Sequence, residues 1–136
     1  AVNRLLNQEV KAAQAAGLKV LYCIGEKSEE QEAWQQVLGD QLAIGLDGTD
    51  KSRVVIAYEP IWSIGPGKTP ADKPYIEEVA EEMRVLYGGS MNPGNVEGLM
   101  AQPNIDGGLI ALTRFSGEIG FYPEEYLEII RLYLGH

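Results

Sequence analysis

At 136 residues, 45% hydrophobic and 23% charged, the chain has the composition of a single globular domain large enough to bury a core. Its formal charge of −9 sets nucleic acid and anionic membranes aside as partners, and no apolar run reaches the roughly 20 residues that a bilayer span requires. The one cysteine, Cys23, excludes an internal disulfide and fits a reducing cytoplasm.

The chain begins Ala1-Val2-Asn3 without an initiator Met and enters a helical pattern at once, which reads as a processed start or a missing N-terminal region. Leu5, Leu6, Val10, Ala13 and Ala16 fall near the helical period, predicting a helix over 2–16 with Gly17 as its C′ residue. Residues 19–26 form a short apolar run ending in Gly25 and Glu26, a buried strand. Ser28 opens a second helix through 46, with Ala33, Trp34, Val37, Leu38, Leu42 and Ile44 as its buried positions. A second strand covers 53–58, and a helix over 69–83 follows, with Pro74 in its first turn, where a missing N–H costs least.

The third strand is 84–89. Asn92-Pro93 opens a helix to about Gln102, the fourth strand is 105–112, and a last helix covers 123–134. Strands that are nearly continuously apolar, each followed by a helix, predict an α/β fold with a parallel sheet covered by helices. The joint between Met83 and Arg84 leaves no loop where about 2–6 residues are usual, so the helix is shorter than its pattern or residues have been lost there.

The strand ending Ala57-Tyr58-Glu59 runs straight into Pro60-Ile61-Trp62 and the small-residue loop Ile64-Gly65-Pro66-Gly67-Lys68-Thr69. A lone acid at the carboxyl end of a buried strand, beside such a loop, suits a general base under a mobile lid. Taken alone, Glu59 would read rather as a strand-end acid paired with a neighbour. Gly67-Lys68-Thr69 does not make a nucleotide-binding P-loop, because that motif needs glycine at position 62, which is Trp62. No Gly-x-Gly-x-x-Gly follows a strand. The acidic pairs Glu29-Glu30, Glu77-Glu78, Glu81-Glu82 and Glu124-Glu125 read as solvated helix faces.

Cys23-Ile24-Gly25-Glu26, Tyr58-Glu59-Pro60-Ile61-Trp62 with its Gly-Lys-Thr loop, and Tyr87-Gly88-Gly89-Ser90, in this order and spacing, resemble the second half of the triosephosphate isomerase family. The resemblance covers almost the whole chain and implies the C-terminal half of a (β/α)8 TIM barrel, about four βα units, with its site on the loops at the strands' carboxyl ends. It implies an aldose–ketose isomerase acting on glyceraldehyde 3-phosphate and dihydroxyacetone phosphate in glycolysis and gluconeogenesis, cytoplasmic and homodimeric, with no cofactor and no metal. Glu59 would be the catalytic base, moving a proton through an enediolate.

Pro60, Ile61 and Trp62 would form the first hinge of the lid, and Lys68, Thr69 and Pro70 the second. Ile64 would close over the carboxylate against Leu109. Gly65 and Ser90 match positions whose N–H groups hold the phosphate. Tyr87 matches a residue that packs the closed lid, with a plain buried tyrosine as the alternative. Trp62 would be core in most proteins, but its place after Glu59-Pro60 favours the hinge. Glu26 belongs to the shell that anchors the lid or to an ordinary salt bridge. Cys23 matches a buried structural position rather than a nucleophile.

Three departures follow from the same comparison. The Lys and His that the family uses as electrophiles lie in the half absent here, and His136, which ends the chain, reads as the start of a purification tag. The last strand should end in two phosphate-binding glycines, where this chain has Ala111 and Leu112. Arg114 is either a substitute for their N–H donors or a surface residue. The loop over 113–122 is longer than the family's turn, with Phe115, Gly117 and Gly120 in it. These changes raise two alternatives: an isomerase for another sugar phosphate, or a catalytically silent or engineered half-barrel. Four βα units leave two open sheet edges, which favours pairing with a second copy.

Overall fold

The computed structural model describes residues 1–82, 85–113 and 120–135. The Met83–Arg84 joint, Arg114, Phe115, Gly117 and His136 lie outside the described residues.

Among the described residues, four strands form one parallel sheet in sequential order: β1 (Val20–Ile24), β2 (Val54–Tyr58), β3 (Val85–Tyr87) and β4 (Ile105–Gly108). The helices are α1 (Val2–Ala15), α2 (Trp34–Gly45), α3 (Lys73–Glu82), α4 (Val96–Met100) and α5 (Pro123–Leu134). Parallel neighbours need crossovers, and right-handed crossovers between strands taken in order put the helices on one face of the sheet. That face holds the core. Tyr22, Ile24, Tyr58, Val85 and Tyr87 from the strands meet Val10, Leu38, Ile76, Val79, Val96, Leu99 and Ile129 from the helices. Each such apolar side chain, fully buried, stabilises the fold by about 1.5–3 kcal/mol.

The other face is open in part: Ala57 on it is buried, but its neighbours are not. Leu21 and Val55 keep 45% and 48% of their surface, and Cys23 is exposed beside them. The expectation that Cys23 is buried is therefore corrected: it alternates with Tyr22 and Ile24 along β1 and projects from the helix-free side.

Helix ends follow local chemistry more closely than the apolar pattern does. Gly17, at φ 85°, closes α1, with Gly17 N–H donating to Gln14 and Leu18 N–H to Ala13, the bonding of a glycine C-terminal motif. α3 starts at Lys73 rather than at 69, because Asp72 Oδ1 accepts from Tyr75 N at 3.0 Å and fixes the first turn. The second helix opens as a 3-10 segment, Ser28–Ala33, before turning α-helical at Trp34. Of its expected core positions, Trp34 and Leu38 are buried, whereas Ala33 and Ile44 are exposed. α4 is shorter than expected. The stretch before it is a turn, in which Asn92 Oδ1 accepts from Gly94 N and Asn95 Oδ1 from Asn92 N. β4 stops at Gly108 rather than at 112: among the described residues it pairs with β3 alone, and β3 ends at Tyr87.

Candidate active site

The sheet ladder carries on past the strand ends and aligns their carboxyl tips. Glu59 N–H donates to Ile24 O at 2.8 Å, Gly88 N–H to Tyr58 O at 2.8 Å, and Leu109 N–H to Tyr87 O at 3.0 Å. Glu59, Gly88 and Leu109 thereby become neighbours across three strands. They line one cleft of about 150 Å³ together with Ile64, Ser90, Met91, Ile110, Ala111 and Leu112. Of the residues expected at the site, Glu59, Ile64, Ser90 and Leu109 thus share this cleft.

Glu59 is half-buried under this apolar wall. Burial raises its carboxyl above the ordinary glutamate value, and the nearby Cys23 thiol offsets part of the shift. The thiol is raised in turn, first by desolvation and then by the Glu59 charge. A carboxylate poorly solvated on one side and open to the cleft is a stronger base than one in water.

The segment after Glu59 begins at Pro60, which is buried, and continues in a 3-10 turn, Ile61–Ser63. Gly65 at φ 120° lies in a region that side chains avoid, so the turn before Lys68 needs a glycine there. Lys68 N–H donates to Gly65 O at 3.2 Å, and the Lys68 and Thr69 side chains are exposed. Ser63 is buried and Ser90 Oγ donates to Ser63 O at 3.1 Å, joining this turn to the loop after β3. Ser90 itself is held at φ 60°, uncommon for a non-glycine, and its N–H donates to Gly88 O at 3.1 Å.

Glu26, fully buried, makes the hydrogen bonds of an anchor. It accepts from Trp62 Nε1 at 2.6 Å, from Tyr75 Oη at 3.0 Å, and from Tyr58 Oη at 3.1 and 3.2 Å to its two oxygens. The Tyr87 hydroxyl is buried and makes no well-formed hydrogen bond among the described residues. Burial pushes its pKa up to about 12, with Ser63 and the Ala71 backbone close enough to oppose the shift.

Sequence reasoning missed several contributors. Asn92 and Asn95 Nδ2 both donate to Ser90 O, at 3.1 and 3.2 Å, and hold its unusual backbone in place. The Asn-Pro-Gly-Asn run carries the signal for that turn, since Asn and Gly favour turns as well as helix starts. Met91 and Ile110 complete the cleft wall without any motif to announce them. Beyond Leu112, Thr113 N–H donates to Gly120 O at 2.8 Å and Tyr122 N–H to Thr113 Oγ1 at 3.0 Å, which closes the stem of the long loop.

A sequential parallel βα sheet with a half-buried carboxylate and an apolar-walled cleft at its strand tips defines a class: part of a (β/α)8-type barrel with its site on the carboxyl face. The family model for triosephosphate isomerase matches residues 2–131, and the chain belongs to that family. It is 38% identical to the triosephosphate isomerase of Syntrophotalea carbinolica, over 93% of this chain and 56% of that protein. With the Geobacter metallireducens enzyme of that name the identity is 45%, over 77% of this chain and 50% of the relative. With the Lactobacillus helveticus one it is 42%, over 92% and 55%.

The chain spans about half the length of the curated relatives it matches. The alignment with the Syntrophotalea protein extends over 146 positions, more than the 136 residues of this chain, so that relative carries residues inside the matched region with no counterpart here.

Proposed function

We propose that this chain supplies the base-and-lid half of an aldose–ketose isomerase that interconverts glyceraldehyde 3-phosphate and dihydroxyacetone phosphate. Glu59 takes the proton from the carbon next to the carbonyl, an enediolate forms, and the same carboxyl returns the proton to the adjacent carbon. Ile64 and Leu109 shed water from around the carboxylate as the lid closes, which strengthens the base at the moment of transfer. Pro60, Ile61 and Trp62 hinge one end of the lid, Lys68 and Thr69 the other, and Tyr87 packs beneath it. Gly65 offers its backbone N–H to the phosphate, and Ser90 joins it by turning its N–H away from Gly88 O, to which it donates at 3.1 Å in the structure. The electrophile that polarises the carbonyl comes from segments that this chain does not hold. The same reading gives a cytoplasmic homodimer serving glycolysis and gluconeogenesis, with no nucleic-acid or membrane partner.

The observation that carries the proposal is Glu59 itself: one carboxylate at a strand tip, raised by burial, facing Ile64 and Leu109 across one cleft. The deciding experiment is Glu59→Gln in a catalytically complete protein, with substrate affinity measured alongside turnover. Loss of turnover with retained binding is expected, and near-normal turnover would remove Glu59 from the mechanism. A second reading, an isomerase for a different sugar phosphate, draws on Ala111 and Leu112, whose side chains line the cleft where the family places glycines. A panel of three- to six-carbon sugar phosphates separates the two readings.

A further inference from the structure

The lid is bounded by two aromatic residues that meet each other. Trp62 and Tyr75 pack edge to face, with ring centroids 5.4 Å apart and planes at 82°. Both donate to the same atom, Oε1 of Glu26, at 2.6 Å from Trp62 Nε1 and 3.0 Å from Tyr75 Oη. Trp62 belongs to the turn that opens the lid, and Tyr75 to the first turn of α3, after the lid has ended. The Asp72 cap that starts α3 bonds the backbone of Tyr75 itself, which sets the direction from which the phenol reaches Glu26. Glu26 is immobilised from the sheet side, where Tyr58 donates to both its oxygens. Tyr75 does not line the cleft of Glu59.

We propose that Tyr75 is a positioning residue for the lid: with Trp62 it ties the two stems of the segment to a single buried carboxylate oxygen. The segment between them then moves on one shared anchor instead of two independent hinges. A chain closed at its base explores far fewer arrangements than one fixed at a single end, so the tie limits where Ile64 can go when it approaches Glu59. Burial and the adjacent carboxylate raise the Tyr75 hydroxyl, so it stays a donor across the pH range in which the fold persists. This inference rests on the lid reading given above and adds to it the residue that fastens the second stem.

The test is hydrogen exchange on the protein and on Tyr75→Phe, which keeps the ring contact and removes only the hydroxyl. The readout is the Trp62 indole proton, with the Trp34 indole, buried on α2, as the internal control. The tie predicts that Trp62 exchange quickens by about tenfold or more, while Trp34 holds its rate. Unchanged Trp62 exchange, or equal acceleration of both indoles, overturns the proposal, the latter because it would report general loosening. Should the variant not fold, the unaltered protein still decides: the Trp62 indole and the Tyr75 amide should open together, with protection matched within about threefold, and unmatched protection overturns the tie. No substrate enters these measurements, so they can fail while Glu59 keeps its assigned role, or succeed while it loses it.

Discussion

The Glu59 carboxylate lies directly over Gly88: a Cβ built on that glycine would stand 2.6 Å from both Cγ and Oε1 of Glu59. Gly88 N–H is bonded to Tyr58 O at 2.8 Å, so neither backbone can withdraw without breaking the ladder that sets the site. The glycine thus gives the carboxylate its resting place. Gly88→Ala is expected to push Glu59 aside while leaving the fold in place. Turnover should fall by about 10²-fold, the scale of a misplaced catalytic group, with a much smaller change in KM. Steady-state kinetics of the variant in a catalytically complete protein checks this, and an unchanged kcat would show that Glu59 rests elsewhere during reaction.

Replacing Glu59 by Gln should lower kcat by roughly 10²–10⁴-fold, the usual contribution of a positioned general base. The same variant has a stability signature. The carboxyl is raised in the folded protein, so the fold holds a proton that the unfolded chain releases, and stability falls as pH rises from the ordinary glutamate value through the raised one. Melting curves at several pH values should therefore show the parent losing ground to Glu59→Gln as pH rises through that window, with their difference smallest in acid. Parallel curves would mean that the carboxyl is not raised.

Cys23 presents a testable pair of opposites, an exposed residue whose thiol is hard to ionise. Alkylation by iodoacetamide near neutral pH should be slower than for an ordinary accessible cysteine, since the thiolate is the reacting form. It should quicken in Glu59→Gln, which removes the negative neighbour. Conversely, Cys23→Ala takes away the thiol that lowers the Glu59 carboxyl, and the acid limb of the pH–rate profile should move upward. Equal alkylation rates with and without the Glu59 charge would break the link.

The last prediction concerns Ala111 and Leu112, both exposed at the rim of the cleft. If phosphate is held by backbone N–H groups at this position, Ala111→Gly with Leu112→Gly should let the anion approach and lower KM for the triose phosphates by about tenfold. An unchanged KM would place the phosphate grip on other residues.

Much of the architecture is legible in the residues because it follows from local rules. Val54 to Ile56 is β-branched and Tyr58 aromatic, Gly17 supplies the left-handed stop of α1, and the order of elements leaves a parallel sheet as the simple solution. Glu59 is legible as well, since an acid breaking an apolar strand needs a reason. What stays hidden is non-local. Tyr58, Trp62 and Tyr75 converge on Glu26 from 32, 36 and 49 residues away, and no periodicity encodes that meeting. The exposure of Cys23 is hidden for a related reason: in a parallel strand apolar on both faces, the pattern does not say which face the helices cover. The start of α3 is hidden because the sequence pattern does not mark a break after Thr69, whereas the Asp72 cap selects one turn.

The sheet has a handed asymmetry with a consequence for solution behaviour. Among the described residues its two margins run along β1 and β4 and are different surfaces, and two copies laid β4 to β1 keep every strand pointing the same way. Such a contact is heterologous: repeated around an axis it closes into a ring, and repeated along one it runs on as a fibre. Curvature of the sheet chooses between the two outcomes. Sedimentation velocity on the chain at rising concentration distinguishes them, since a closed ring settles at one discrete size and an open stack grows without limit.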